Sequence, residues 1–569
     1  MKICVLDFNK KAELLEQAFL DGKDWSQLQQ EHSADIDTNG LYCAFVSVCD
    51  SHTRAKVLRC AASSMQEAWY GAVSAARRFV NSKEYDARWV KADVMCSAKR
   101  EELADVIAEI AEGYNEYYRR GISFDDGFAT ALIEAEMNGS RVITYKKKTI
   151  ELDAVNKHLK SIGAQPLTAL PEEIVTFDCI SFFCDDKNEV HPLYSAGYDC
   201  GRRKLDRFEK QHALDVVTTS SEFLSMQMDL AGKFDYGIYP IYHKIIPGYN
   251  MVRHASSVWS LVCAYRITKD RFTLQKIESA LGYLVKHSFY KYKKPKEEEN
   301  TAYIAELSSR EVKLGGSGVA ILVMTEYMDA VGTDKYKKLC VEIGNGILEM
   351  MDKETGEFVH VLNFPELSLK EKNRIVYYDG EAVFALVRLY SLTKEQRWLD
   401  AAKTAVDRFI RCGYEKYRDH WVAYAMNELT KHVPEEKYFA FGLKNAQVNM
   451  ERIYNQKTTY HTYLELLCVT YELYERIVEG GYKVDYLEQF DVKRFVETVF
   501  HRAWFMLNGY AYPEYAMYLK FPEKILGAFF VRHDGYRIRI DDIQHFCGAY
   551  YSLYRNYEKL DALRTEFDI

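Results

Sequence analysis

The chain has 569 residues, a formal net charge of -8 and 13 cysteines. That length calls for two to four domains, and the acidic balance excludes the basic footprint of a nucleic-acid binder. The cysteines are odd in number, widely spaced and free of CxxC pairs, which excludes a disulfide scaffold and fits reduced thiols in a cytoplasmic protein. No run reaches the ~18 apolar residues of a membrane span, and the apolar stretch of MKICVLDFNKK is too short for a signal peptide. Ten prolines against 43 tyrosines suit a helix-rich chain, because proline breaks helix interiors.

Residues 1–170 read as an α+β module. LYCAFVSVCD (41–50) and RWVKADVMCS (88–97) alternate like half-buried strands, and the stretch 63–81 between them has a helical apolar face. Further helices are expected at 99–121, 124–139 and 152–164, with a strand from 140. Gln165–Pro171 is the boundary, and 171–214 reads as a connector hairpin turning at Asp185–Asn188. From about 215 to 569 helix follows helix. In Val376–Ile410, Ala382, Leu386, Leu389 and Tyr390 make one apolar stripe, Ser391–Glu395 breaks it, and Trp398, Leu399, Ala402 and Val406 restart it. About twelve such helices form six successive hairpins. The charged stretch 291–303 reads as a surface loop.

Six hairpins in succession imply a toroid, with odd helices facing the axis and even helices outside. The fold class is therefore mainly α, an (α/α)6 toroid preceded by an α+β domain. The inner openings would ring one mouth, where a polar pocket forms. These openings carry Tyr249, Asn250, Arg253 and His254; Gly315 and Gly316; Tyr377, Tyr378, Asp379 and Glu381; Asp419, His420 and Trp421; His461; and Arg539, Asp541, Asp542 and His545. Asn250, Asp379, Asp419 and Asp541 are good helix caps in their own right. Capping does not need Arg253, His254, His420, His461, Arg539 or His545, because positive groups at helix N-termini oppose the dipole.

The residue types suggest roles. Asp379, Glu381, Asp541 and Asp542 are candidate general acids and bases, and His254 and His545 can exchange a proton across a cavity. Tyr249, Asn250, Arg253, Tyr377, Tyr378, Asp419, His420, Trp421, His461 and Arg539 are candidate substrate-binding groups, with arginines suited to carboxylate or phosphate. Phosphate loops of the GxxxxGK[ST] type are absent, and no metal-ligand spacing stands out, so no cofactor or metal is expected.

The phrases YNMVRHASSVWSLVCAYRITKD, LGGSGVAILVMTEYMDAVGTDKY, YYDGEAVFALVRLYSLTKEQRWLDAA, DHWVAYAMNEL and RIRIDDIQHFCGAYYSLYRN resemble the six-hairpin toroid superfamily. That group includes unsaturated-glucuronyl hydrolases and N-acylglucosamine 2-epimerases, and the resemblance spans about 215–560. It implies a carbohydrate-active enzyme that hydrolyses, or epimerises, an acidic or amino-sugar oligosaccharide. Because one scaffold hosts several chemistries, no catalytic role is transferred. The alternative is a non-catalytic assembly protein whose toroid recognises a peptide or polymer, with the N-terminal module docking a partner. A small-molecule or oligosaccharide ligand is expected, without nucleic acid or membrane.

Overall fold

The computed structural model describes residues 2–112, 117–140, 142–144, 147–292 and 300–569; much of the expected surface loop at 291–303 lies outside these. The chain divides into two units. One comprises 208–237, 246–507 and 539–569, and the other 1–207, 238–245 and 508–538.

The first unit is helical. Its long helices, in chain order, are α1 (Lys210–Met226), α2 (Met251–Thr268), α3 (Arg271–Ser288), α4 (Leu314–Val331), α5 (Lys337–Glu349) and α6 (Ile375–Thr393). They continue as α7 (Gln396–Cys412), α8 (His420–Leu429), α9 (Glu436–Gln447), α10 (Thr462–Gly480), α11 (Val492–Met506) and α12 (Ile540–Glu566). Helix α2 packs on α4, α4 on α6, α6 on α8, α8 on α10, α10 on α12, and α12 returns to α2. The ring closes, and the odd helices pack outside it, so this unit is a six-hairpin (α/α)6 toroid. An antiparallel five-stranded sheet built from segments between 289 and 371 is inserted in it.

The expected parity is reversed: even helices line the axis. The first helix begins at Lys210 and buries mainly one face, whereas α4 buries residues on every side, from Leu314 to Met328. A helix apolar all round belongs inside, and one with a single stripe belongs outside. Helix α7 shows the second pattern, burying Trp398, Leu399, Ala402, Ala405, Val406 and Phe409.

At the C-terminal ends of the inner helices, ion pairs lace neighbours together. Arg266 pairs with Glu326, Arg388 bonds Glu326 at 3.2 Å and approaches Glu428 at 3.6 Å, and Asn427 donates to Glu472 at 2.7 Å. Glu326 thus serves two arginines in a partly buried position. Removing Glu326 leaves Arg266 with Asp329 alone and Arg388 with Glu428 alone, so Glu326→Ala should destabilise by about 2 kcal/mol. Chemical denaturation checks this, and an unchanged midpoint would contradict it.

The second unit contains a six-stranded antiparallel sheet. Its strands are β1 (Tyr42–Cys49), β2 (Lys56–Ala62), β3 (Trp89–Glu102), β4 (Gly121–Ser123), β5 (Glu173–Cys184) and β6 (Val190–Pro192), ordered β2-β1-β3-β5-β4 with β6 on β5. Alternation sorts the two faces. Ala44, Val46 and Val48 pack with residues of the helices Ile3–Leu20 and Met65–Lys83, while Cys43, Phe45 and Cys49 pack with Phe128, Phe177 and Met517.

Several expectations change here. The stretch 171–214, read as a connector, supplies β5, which lies between β3 and β4; the hairpin at Asp185–Asn188 joins β5 to β6. Residues 508–538 group with this unit and not with the toroid. Of the helix expected at 99–121, the structure describes Leu103–Glu112; 99–102 continue β3, 117–120 are not helical, and 113–116 lie outside the described residues. The helix expected at 124–139 shrinks to Glu134–Gly139, since Asp125 accepts from the backbone amides of Gly127, Ala129 and Thr130 and holds a loop. Short polar side chains compete with helix in this way. A cleft of about 1510 Å³ in this unit is lined in part by Arg54, Lys157, Lys244 and Lys520.

Candidate active site

The N-terminal ends of the inner helices bring most of the sequence-predicted residues together. Asn250 caps α2 by accepting from the Arg253 amide at 3.2 Å. Arg253, one turn in, bonds the Tyr236 hydroxyl and reaches Asp541 at 3.0 Å. Asp419 caps α8 through the Trp421 amide at 2.9 Å, and its other oxygen accepts from the Tyr377 amide at 2.6 Å.

That second bond is tied to an unusual backbone. Tyr377 has φ 77° and ψ -50° inside the first turn of α6, the rare positive-φ γ-turn that non-glycine residues avoid. Its amide is held by Asp419, its hydroxyl meets the Tyr460 hydroxyl at 3.0 Å, and its ring lies edge-on to His420 at 5.4 Å. These ties over-determine the strained conformation.

Glu381 sits one turn into α6, 4% exposed, and among the described residues its Oε2 has no hydrogen-bond partner. Burial first, and then the neighbouring Asp419 and Asp541, push its carboxyl well above the ordinary carboxylate range. It lies directly over Gly315 of α4, where an added Cβ would fall 1.9 Å from Oε2. Only glycine at 315 leaves room for this carboxyl, whereas a Cβ at Gly316 would meet nothing closer than Val252 at 3.5 Å. Burial also raises Asp419, to about 7. Two neighbouring carboxyls that resist ionisation are the usual environment of a proton donor.

The other candidates separate by what holds them. Both oxygens of Asp379 are engaged, one by His360 Nε2 at 2.7 Å and the other by the Tyr414 hydroxyl at 3.0 Å. His360 Nδ1 accepts from the Arg374 amide, which fixes the tautomer that donates to Asp379. Asp379 therefore anchors the start of α6 and is not free for proton transfer. Asp542 accepts from Arg539 at 3.0 and 2.6 Å and from His461 at 3.2 Å. Although burial opposes it, these partners hold its carboxyl far below the ordinary range, which makes it a structural anion.

His254 does not join the proton-transfer groups. Its Nδ1 meets the Tyr249 hydroxyl at 2.7 Å, its Nε2 donates to the Ala280 carbonyl at 2.9 Å, and burial lowers it to about 4. Tyr249 is spent on this contact and on the Phe234 amide. Tyr378 approaches the same Gly315 position as Glu381, at 3.1 Å from the added Cβ. Trp421 packs with its ring tilted against Trp259 and Phe384, at centroid distances of 5.8 and 6.4 Å.

His545 Nδ1 bonds Glu465 Oε2 at 2.6 Å, and Tyr424 donates to Glu465 Oε1 at 3.3 Å. Burial alone would lower His545, but Glu465 raises it overall. His420 lies against the same carboxylate at 3.7 Å and is pushed well below its ordinary value by burial and by His545 and His461. Glu465, fully buried on α10, is a site residue that sequence reasoning missed. The signal was its place in the first turn of α10, in TTYHTYLELL, where it is an acid in the apolar run Tyr463–Val469.

No protein-family model matches the chain, and no curated protein matches it. Solved structures do. The crystal structure of a D-mannose isomerase is 11% identical, covering 61% of this chain and 98% of its own, at a TM-score of 0.45. Cellobiose 2-epimerase from Bacillus thermoamylovorans is 13% identical, covering 60% and 99%, at 0.46. A GH76 alpha-mannanase from Bacteroides thetaiotaomicron is 10% identical, covering 62% and 97%, at 0.44. The toroid assignment rests on the closed ring of helices itself.

Proposed function

We propose that this protein is a carbohydrate-active enzyme that uses Glu381 as a general acid at the toroid axis. The observation that carries the reading is a fully buried carboxyl, unpartnered at Oε2 among the described residues, beside two further acids. A carboxyl whose neutral form is favoured by burial and by neighbouring acids can protonate a departing glycosidic or ring oxygen. Asp541, facing Arg253 at 3.0 Å, is the carboxylate to receive a proton from water or from a sugar carbon. Arg253 and the tyrosines Tyr377 and Tyr460 suit an acidic sugar, one by charge and the others by stacking and hydrogen bonding. Hydrolysis of an acidic or amino-sugar oligosaccharide comes first, and epimerisation second.

A thermal-shift screen with uronic-acid and amino-sugar oligosaccharides tests the binding half. Ligand at a hundred times its Kd stabilises the folded state by about 2.7 kcal/mol. The shift should vanish in Arg253→Ala. A shift that survives that substitution, or none with any sugar, would count against this site.

The second reading is recognition without turnover by an assembly protein. It is favoured by the burial of the cluster, with His420 1% and Glu465 0% exposed. Under that reading a bound sugar or peptide is recovered unaltered.

A further inference from the structure

We propose that His420, Glu465 and His545 form a binding site for a first-row divalent cation, Zn²⁺ by ligand preference. The three residues come from α8, α10 and α12, and their donor atoms all lie within 4.8 Å of one another. All three are buried. Two imidazoles and one carboxylate, with coordination positions left open, are a donor set that such ions take in protein sites.

His420 supplies the independent observation. It is 1% exposed, and among the described residues neither ring nitrogen has a hydrogen-bond partner. A buried polar group left this way costs about 1–3 kcal/mol, and an ion at Nε2 would remove that cost. Nε2 already faces Glu465 Oε2 at 3.7 Å, and that oxygen faces His545 Nδ1 at 2.6 Å.

Carboxylates also stand near both rings, beyond hydrogen-bond distance. Histidine ligands usually present their second nitrogen to a carboxylate, which orients the ring. Here His420 Nδ1 lies 3.9 Å from Asp419, and His545 Nε2 lies 3.9 Å from Asp541. Tyr424 orients the remaining oxygen of Glu465. An entering ion displaces the proton shared between His545 Nδ1 and Glu465, so uptake releases a proton to solvent. The site stands whether or not the protein turns over sugars.

The test uses the full chain after dialysis against a chelator. A second cluster, Asp185, Glu189 and His191, offers donors at the surface, so every sample carries His191→Ala. Titration calorimetry with ZnCl₂ in two buffers of different ionisation enthalpy should give one site and release of a proton. His420→Ala and Glu465→Gln should weaken binding by at least about 100-fold. CoCl₂ absorption on protein with His420, Glu465 and His545 intact should show histidine-ligated cobalt, which does not depend on the variants folding. Absence of uptake, equal affinity in the folded His420→Ala protein, or a cobalt spectrum of the aquo ion would overturn the proposal.

Discussion

Glu381→Gln should lower turnover at least about 10³-fold, the scale of a positioned general acid, while sugar binding persists. The same substitution should change how stability depends on pH. In the folded state the Glu381 carboxyl is held well above its ordinary value of 4.5, first by burial and then by the facing Asp419 and Asp541. Below pH ~4.5 folded and unfolded chains both carry the proton, so the group adds no pH dependence. Above it, the unfolded chain releases a proton that the folded chain keeps, and stability falls by up to about 1.4 kcal/mol per pH unit until the folded group ionises. Glutamine has no such proton. The melting temperature of the variant should therefore gain on wild type as pH rises from 5 to 7, and parallel curves would contradict a neutral Glu381.

Gly315→Ala is expected to have the second largest effect. Its Cβ would sit 1.9 Å from Glu381 Oε2 and 3.1 Å from the Tyr378 ring, so the carboxyl must move. Overpacking of this kind costs about 1–3 kcal/mol, and a displacement near 1 Å lowers turnover about 100-fold. Because Glu381 is a flexible side chain, the activity loss should exceed what the stability loss explains. Steady-state kinetics beside a melting curve separates the two. Wild-type kcat in a folded Gly315→Ala protein would show that Glu381 is not where the chemistry occurs.

How far the sequence carried the fold follows from periodicity. The hairpin Val376–Ile410 was legible because apolar residues at spacings of three and four stop at Ser391–Glu395 and restart at Trp398. The observed helices Ile375–Thr393 and Gln396–Cys412 match it. Which partner faced the axis was also in the sequence, in the contrast between α4, apolar all round, and α7, apolar along one stripe, and that contrast makes the even helices the inner ones. The strand Glu173–Cys184 was seen, yet its place inside a sheet is a long-range pairing that no local signal states.

The candidate site was legible as a set of helix openings and not as a geometry. Glu381, Asp419, Asp541, Arg253, His420 and His545 do converge. Asp379, Asp542 and His254 were chosen on the same grounds, but each is consumed by partners: His360 with Tyr414, Arg539 with His461, and Tyr249 with the Ala280 carbonyl, of which Arg539 alone, three residues from Asp542, stands at a spacing that predicts the contact. The trio of His420, Glu465 and His545 was invisible. Its members are separated by 45 and 80 residues in sequence, and only the ring of helices brings them together.

The central claim, a proton-donating Glu381 acting on a sugar, is tested most directly by ¹H NMR of wild type and Glu381→Gln with uronic-acid and amino-sugar oligosaccharides in D₂O. Wild type should generate new anomeric signals from a released reducing end or, if it epimerises, exchange a sugar C–H for deuterium, and Glu381→Gln should do neither. Equal rates in the two proteins, or a bound sugar that wild type returns unchanged, would contradict the account.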